Sequence, residues 1–181
     1  KSIPMKSPQL TTFCANAIIN FIDFFKQSFA QYCPTIFSAL VEVIGNREAD
    51  TEAIAQLNDD DNDDDFDDEA IAQSQRCLQE YSTMYTEVLA AVAHIFIFYS
   101  EQMADQSDAI TQILLQTINS TSQQQDIESY YQAYMRACGC VIPAFVSIKK
   151  DPSQLIDTYL KLANQFTTFD AYCDDIIEFW D

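Results

Sequence analysis

Apolar side chains recur every three or four residues through the first part of the chain. Ser7 followed by Pro8 is typical of a helix N-cap with proline at the first helical position. From there the spacing predicts one helix that runs to about Tyr32 and buries a single apolar face. The predicted members of this face are Leu10, Phe13, Cys14, Ala17, Ile18, Phe21, Phe25 and Phe29.

Pro34 begins the second predicted helix, over residues 35–44, and Gly45 is predicted to follow it as a C′ residue. A long later segment is apolar nearly all round between residues 90 and 98, which predicts the central helix of a bundle. Pro143 interrupts another apolar segment, so a kinked helix or a buried connection is expected there. Polar residues 119–125 are predicted to form a loop. The predicted helical segments after the second are 48–57, about 68–103, 107–118, 126–139, 141–148, 151–166 and 168–180.

The composition supports an all-helical fold. The chain has 181 residues and only two glycines, Gly45 and Gly139. All-β folds need many tight turns, and those turns depend on glycine for positive φ angles. We therefore predict one all-α domain over residues 1–181, a compact bundle of seven or eight helices.

The cysteines indicate a compartment. Zinc and iron–sulfur sites favour Cys-x-x-Cys pairs, which this sequence lacks, so three disulfides are favoured over six reduced core thiols in a cytosolic protein. Helical residues two apart point about 200° away from each other, so Cys138 and Cys140 are expected to face different neighbours. Six cysteines allow 15 connectivities, and none is selected by the sequence. The candidate disulfide residues are Cys14, Cys33, Cys77, Cys138, Cys140 and Cys173.

Two further features point to secretion. Asn119-Ser120-Thr121 is an N-glycosylation acceptor sequence in a polar segment. Residues 1–5 are suited to the start of a mature chain from which a signal sequence has been removed. No apolar run approaches the ~20 residues that span a bilayer, and the longest, 88–99, contains His94. We therefore expect a secreted, extracellular protein that does not insert into membranes.

Charge narrows the range of partners. Nine basic and 28 acidic residues give a formal net charge of −19, which disfavours nucleic acid and anionic membranes and favours solubility or cationic partners. Nine of the eleven residues from Asp59 to Glu69 are acidic, and their repulsion predicts a flexible, solvated loop over residues 58–68. We call residues 59–69 the acidic segment. Its predicted binding residues are Asp59, Asp60, Asp61, Asp63, Asp64, Asp65, Phe66, Asp67, Asp68 and Glu69.

Catalytic chemistry is not indicated. His94 is the one histidine available as a general base, and its apolar surroundings are typical of a core or pocket histidine. The sequence has no phosphate-binding glycine loop, and a flexible carboxylate run does not provide the rigid pair that a glycosidase needs. An EF-hand frame that starts at Asn58 places Asp63 where glycine is required. We therefore predict no enzyme activity, no cofactor and no specific metal site.

Two resemblances suggest a biological setting. Residues 65–71, with Phe66 among acids and Ile71 after them, resemble the acidic exosite-binding tails of hirudin-like thrombin inhibitors. The residue 1–5 start, six cysteines over helices, the acidic segment and the sequon at Asn119 resemble small secreted proteins of blood-feeding insects, of the mosquito salivary type. This second resemblance implies a binding protein that modulates host haemostasis or immunity.

Three hypotheses of function follow. The first is a secreted binding protein that engages a cationic extracellular protein, with the acidic segment as its electrostatic contact. The second is a carrier whose bundle encloses a small hydrophobic ligand near His94, Phe96 and the tyrosines of residues 130–134. The third is an intracellular helical-repeat fragment, of a transport-receptor type, whose acidic loop contacts basic partners. The redox state of the cysteines distinguishes the third hypothesis from the first two.

Overall fold

The first helix begins where its capping residues predict. The structure, a computed structural model, describes residues 7–47, 49–50, 68–121 and 127–166, with side chains over 7–47, 49–50, 72–73, 75–116 and 134–161. Helix α1 spans Pro8–Phe25, and the Ser7 hydroxyl accepts a hydrogen bond from the Leu10 amide at 3.3 Å. A 3₁₀ segment, Lys26–Tyr32, then leads into α2, Cys33–Gly45.

The later helices follow in up-and-down order. Helix α3 spans Asp68–Tyr99, α4 Ser107–Thr121, α5 Ile127–Ser147 and α6 Ser153–Phe166, with a short 3₁₀ turn, Ala104–Gln106, before α4. Asp151 accepts hydrogen bonds from the Ser153 amide and hydroxyl and so caps α6. The described residues contain helices and turns and no strand, which confirms the all-α class. The predicted total of seven or eight helices depends on segments 48–57 and 168–180, which lie almost entirely outside the described residues.

Helix α3 is the centre of the bundle, as its all-round apolar pattern predicts. It packs most extensively against α5 and α1, and next against α2. The Phe96 ring lies between those of Phe37 and Phe145, with centroid separations of 5.6 and 6.0 Å. One buried core includes residues from every described helix. The fully buried α3 residues that form its middle are Val88, Leu89, Ala91, Val92, Ile95 and Phe96.

Helices α1 and α3 run side by side in the same direction. At one end the Gln9 side-chain amide donates to the Glu80 carboxylate at 2.8 Å. At the other end the Tyr99 hydroxyl donates to the Lys26 carbonyl at 2.5 Å. Lys26 has a φ of 41°, in the left-handed region that is strained for a residue with a side chain. The buried Tyr99 hydroxyl therefore stabilises the bend where α1 ends.

The prediction for the buried face of the first helix holds for Phe29 and partly for Ile18, and it is wrong for most of the other residues. The core side of the helix consists of Ala15 and Ile22, both fully buried, with Ile18 and Ile19 partly buried beside them. Of the predicted face, Leu10, Phe13, Cys14, Phe21 and Phe25 are instead exposed. Helix α1 has apolar residues on two sides, and spacing alone does not identify the side that packs on α3.

Three boundary predictions also need correction. Gly45 is the last residue of α2 rather than its C′ residue, and no described glycine has a positive φ angle. Helix α4 continues to Thr121, so Asn119 is helical and not in a loop. Residues 127–147 form one helix that contains both Gly139 and Pro143. Val141, Ile142 and Phe145 are buried around the proline, and their packing holds the helix together where the proline removes one backbone hydrogen bond.

Candidate functional site

The described chain ends at Asp50, before the acidic segment, and resumes at the last two residues of that segment. Residues 59–67, including Phe66, lie outside the described residues. Asp68 and Glu69 are the first two residues of α3, as predicted, where the helix dipole favours negative charge. On the other side, the described chain before the segment ends at Asp50, which is bound to α3.

Asp50 is held by a buried tyrosine. The Tyr85 hydroxyl donates to the Asp50 carboxylate at 2.6 Å. Burial, and next this hydrogen bond and the Asp50 charge, raise the pKa of Tyr85 well above its usual range, while nearby Arg47 lowers it. Arg47 is itself buried. Tyr81, whose ring centroid lies 6.4 Å from that of Tyr85, has a pKa raised by burial and then by the Asp50 charge.

This polar cluster was missed by the sequence reasoning. Tyr81 and Tyr85 lie within the predicted helix over about 68–103, but Asp50 belongs to a separate segment 35 residues away from Tyr85. Only the folded chain brings the carboxylate to the tyrosine. The cluster anchors the chain eight residues before Asn58, where the predicted loop begins.

An open cleft of about 400 Å³ lies between the first turn of α1 and α3. All six of its lining residues have polar side chains, and two of them, Gln9 and Glu80, are hydrogen-bonded to each other. No described group of three His, Cys, Asp or Glu side chains is arranged to hold a metal ion. The cleft lining consists of Gln9, Thr12, Arg76, Gln79, Glu80 and Thr83.

The described cysteines are not bonded to one another. Cys33 and Cys138 are fully buried, whereas Cys14 is exposed and Cys77 and Cys140 are half-buried. The different burial of Cys138 and Cys140 agrees with the prediction that they face different neighbours. Burial raises the pKa of Cys33 to about 11 and that of Cys138 to about 12, with a hydrogen bond from Tyr134 acting in the opposite direction on Cys138. Cys173 lies outside the described residues.

Two residues of the carrier hypothesis, His94 and Phe96, lie on different sides of α3. Phe96 is fully buried in the core, whereas His94 is half-buried and lies beside the exposed Phe98, with ring centroids 6.0 Å apart. Residues two apart in a helix point to different sides, which explains this separation. Tyr134 is buried in the core. The side chains of Tyr130 and Tyr131 lie outside those described.

Part of α3, Gln75–Tyr99, is long and apolar enough to cross a membrane by length and composition alone. This differs from the prediction that no apolar run reaches that length. The helical turns before residue 88 contain both polar and apolar residues, and they extend the apolar stretch to 25 residues. In the folded chain 56% of the apolar window is buried inside the bundle. It is the core helix of this fold.

The most prominent exposed feature is an apolar surface on α1 and the 3₁₀ segment. Leu10, Phe13, Phe21 and Phe24 share one helix side, and Phe24 is 85% exposed. Phe25 and Tyr32 extend the surface through ring contacts with Phe21 and the buried Phe29, at centroid separations of 5.9–6.3 Å. We call this the aromatic surface, consisting of Leu10, Phe13, Phe21, Phe24, Phe25 and Tyr32.

The part of the sequence that forms the aromatic surface contains few charged residues. Asp23 is the single acidic residue among the first 41 positions, and the other 27 acids lie from Glu42 onward. Lys1, Lys6 and Lys26 are the basic residues of the same stretch. Against a chain of net charge −19, the aromatic surface therefore lies in a nearly neutral part of the sequence. No family model, curated protein or solved structure matches this chain, so its function is inferred from these residues.

Proposed function

We propose that the chain is a non-enzymatic binding protein that engages a cationic extracellular protein through the acidic segment. The observation that carries this proposal is the concentration of nine acids in eleven residues beside a fixed anchor point. The Tyr85–Asp50 hydrogen bond holds the chain before the segment, and α3 begins at Asp68 after it. A dense negative charge accelerates encounter with a basic partner and helps to fix its orientation.

Phe66 and Ile71 give the same segment apolar anchors. Their spacing among acids resembles hirudin-like tails, which supports recognition of a basic protein patch by combined charge and apolar contact. The resemblance to salivary proteins of blood-feeding insects extends this proposal to a secreted glycoprotein that modulates host haemostasis or immunity. Three disulfides, glycosylation at Asn119 and a total of seven or eight helices belong to the same proposal.

Binding can be tested with a lysine decapeptide as the cationic probe, titrated in 50 and 300 mM NaCl. One variant neutralises five acids of the segment. A matched variant of equal net charge neutralises five exposed acids elsewhere. The first set is Asp59, Asp60, Asp61, Asp63 and Asp64, each to Asn; the second is Asp23, Asp105, Asp108 and Asp157 to Asn, with Glu101→Gln.

We expect the segment variant to bind the probe at least ten-fold more weakly and to lose most of the salt dependence. The matched variant should lose less than three-fold, because its charges are dispersed and screened by salt. Equal losses in the two variants would show that general acidity, rather than the segment, attracts cations, and the proposal would be wrong.

The cysteines favour a second candidate, an intracellular helical protein with an acidic loop. Cys33 and Cys138 are buried as reduced residues of the core, and the five described cysteines lack any bond among themselves. Intact mass before and after alkylation without reductant separates the candidates. Six alkylated thiols in the unfolded protein support the intracellular candidate, and none supports the secreted, disulfide-linked protein.

A further inference from the structure

We infer that the aromatic surface of α1 is the interface of a homodimer, formed by the same surface on a second copy of the chain. This inference does not depend on the acidic segment or on the proposed cationic partner. It rests on the exposure of the surface, its area and its charge.

The exposed area is large for a free monomer surface. Phe13, Phe24 and Phe25 are 70%, 85% and 56% exposed, and Leu10, Phe21 and Tyr32 are 63%, 48% and 55% exposed. At about 200 Å² for a full aromatic side chain, these fractions correspond to roughly 750 Å² of surface. The largest apolar patch of a typical monomer is about 300–600 Å², and such patches are often functional.

The same area suits a self-complementary dimer. A stable interface buries about 800 Å² on each partner, with aromatic residues enriched at its centre and polar residues at its rim. Asn16, Asn20 and Gln27 are exposed polar residues close to the aromatic surface in sequence, and they provide that rim. Cys14 and Ala17, which lie between Leu10 and Phe21, are small enough to allow two helices to approach closely.

Charge identifies the second copy as the occupant. Two chains of net charge −19 repel each other over most of their surfaces. Within the described residues 7–41, Asp23 and Lys26 are the charged side chains, and they offset each other. This is a face on which two copies can meet with little repulsion.

A lipid surface fits these residues less well. Interfacial helices have lysine or arginine residues along their polar side, whereas the opposite side of α1 consists of Ala15 and Ile22 packed on α3. Lys26 is the one basic residue within the described part of α1 and the 3₁₀ segment. The second copy is therefore the better match.

The test is sedimentation velocity of the full chain between 1 and 200 µM. We expect the mass to rise with concentration from 20.6 kDa to twice that value. The double variant F13D/F24D should associate at least ten-fold more weakly, with an unchanged circular dichroism spectrum because both side chains are exposed. The control V146D introduces a single aspartate at a residue on α5 that is 61% exposed, and it should dimerise like the wild type.

A chain that stays at 20.6 kDa at 200 µM would overturn the inference. Equal weakening by V146D and F13D/F24D would overturn it as well. Two other occupants of the aromatic surface, a lipid surface and residues 167–181 of the same chain, would both leave the protein monomeric. A lipid occupant would appear as binding to phosphatidylcholine vesicles that F13D/F24D abolishes. Residues 167–181 would be identified by loss of amide protection in α1 when they are removed. Either result contradicts the dimer.

Salt and thiol reactivity provide readouts that do not depend on the variants. Added NaCl should tighten the dimer, because it screens the repulsion between two acidic chains, whereas it weakens binding of a cationic partner. The reduced chain should show alkylation of Cys14 that slows at least three-fold between 1 and 200 µM. The half-buried Cys77 on α3 is the internal control, and its rate should not change.

Discussion

Tyr85 shows how much one hydroxyl can contribute in this fold. It donates to the partly buried Asp50 carboxylate, and a hydrogen bond to a charged group contributes about 1.5–3 kcal/mol. We expect Tyr85→Phe to lower the free energy of unfolding by about that amount in urea titrations. Tyr32→Phe is the control, because the Tyr32 side chain is 55% exposed. Equal stability of the two variants would show that the bond contributes nothing.

The same tyrosine makes stability dependent on alkaline pH. Its pKa is raised in the folded chain, mainly by burial, so the unfolded chain loses the tyrosine proton first. The stabilisation is therefore complete below about pH 10, the ordinary tyrosine pKa, and decreases as the pH rises above it. The loss between pH 10 and 11 should be smaller in Tyr85→Phe than in the wild type.

Burial also raises the pKa values of two cysteine thiols and so lowers their reactivity. Burial raises the pKa of Cys33 to about 11 and that of Cys138 to about 12, which lowers their thiolate fraction at neutral pH. In the reduced chain we expect iodoacetamide at pH 8 to modify exposed Cys14 at least ten-fold faster than Cys33 or Cys138. Peptide mapping by mass spectrometry measures the three rates. Denaturant should make them equal, and unequal rates in denaturant would point to a local cause other than burial.

At the scale of the helices, the packing of α1 depends on which of its two apolar sides is buried. Ile22 is fully buried, and truncation of such a residue costs about 2–5 kcal/mol. We expect Ile22→Ala to lose that much stability at 1 µM protein, while Phe24→Ala changes it by less than about 0.5 kcal/mol. Urea unfolding compares them directly. The opposite order would show that the side of α1 with Phe24, rather than the side with Ile22, packs on the core.

Gly45 offers a stabilising substitution. It is the last residue of α2, its φ is not positive, and a Cβ added there meets nothing within 4 Å. Alanine lowers the entropy of the unfolded chain, so Gly45→Ala should raise the free energy of unfolding by about 0.5–1 kcal/mol. Thermal unfolding measures this. A C′ glycine in the left-handed region would instead lose stability on the same change.

Local chemistry made the helix starts predictable, and tertiary packing decided the rest. Ser7 and Asp151 cap helices as their sequence positions predict, because a cap depends on neighbours within three residues. Pro143 does not end α5, because buried side chains on both sides of it outweigh the lost hydrogen bond. The Asp50–Tyr85 pair could not be predicted, since nothing local links residues 35 positions apart.

For the whole molecule, electrostatic self-repulsion governs how stability responds to salt. A net charge of −19 destabilises the folded state, and added salt screens it. We expect the unfolding midpoint to rise by about 3–6 °C between 20 mM and 0.5 M NaCl, which corresponds to about 1–2 kcal/mol. The segment variant with five Asp→Asn changes should show a smaller rise. An identical rise would mean that the repulsion comes from the rest of the surface.

The apolar stretch of α3 has a consequence for biosynthesis. For a secreted chain, as proposed above, a translocation channel would meet Gln75–Tyr99 before the bundle has folded, and it can release an apolar helix of that length sideways into lipid. Glu87 lies at the midpoint of this stretch, where a charged residue such as Asp or Lys costs about 2.5–3.5 kcal/mol in membrane insertion. In the folded bundle Glu87 is partly exposed on the central helix. In such an exported chain, the Glu87 carboxylate would oppose the release of the core helix into lipid.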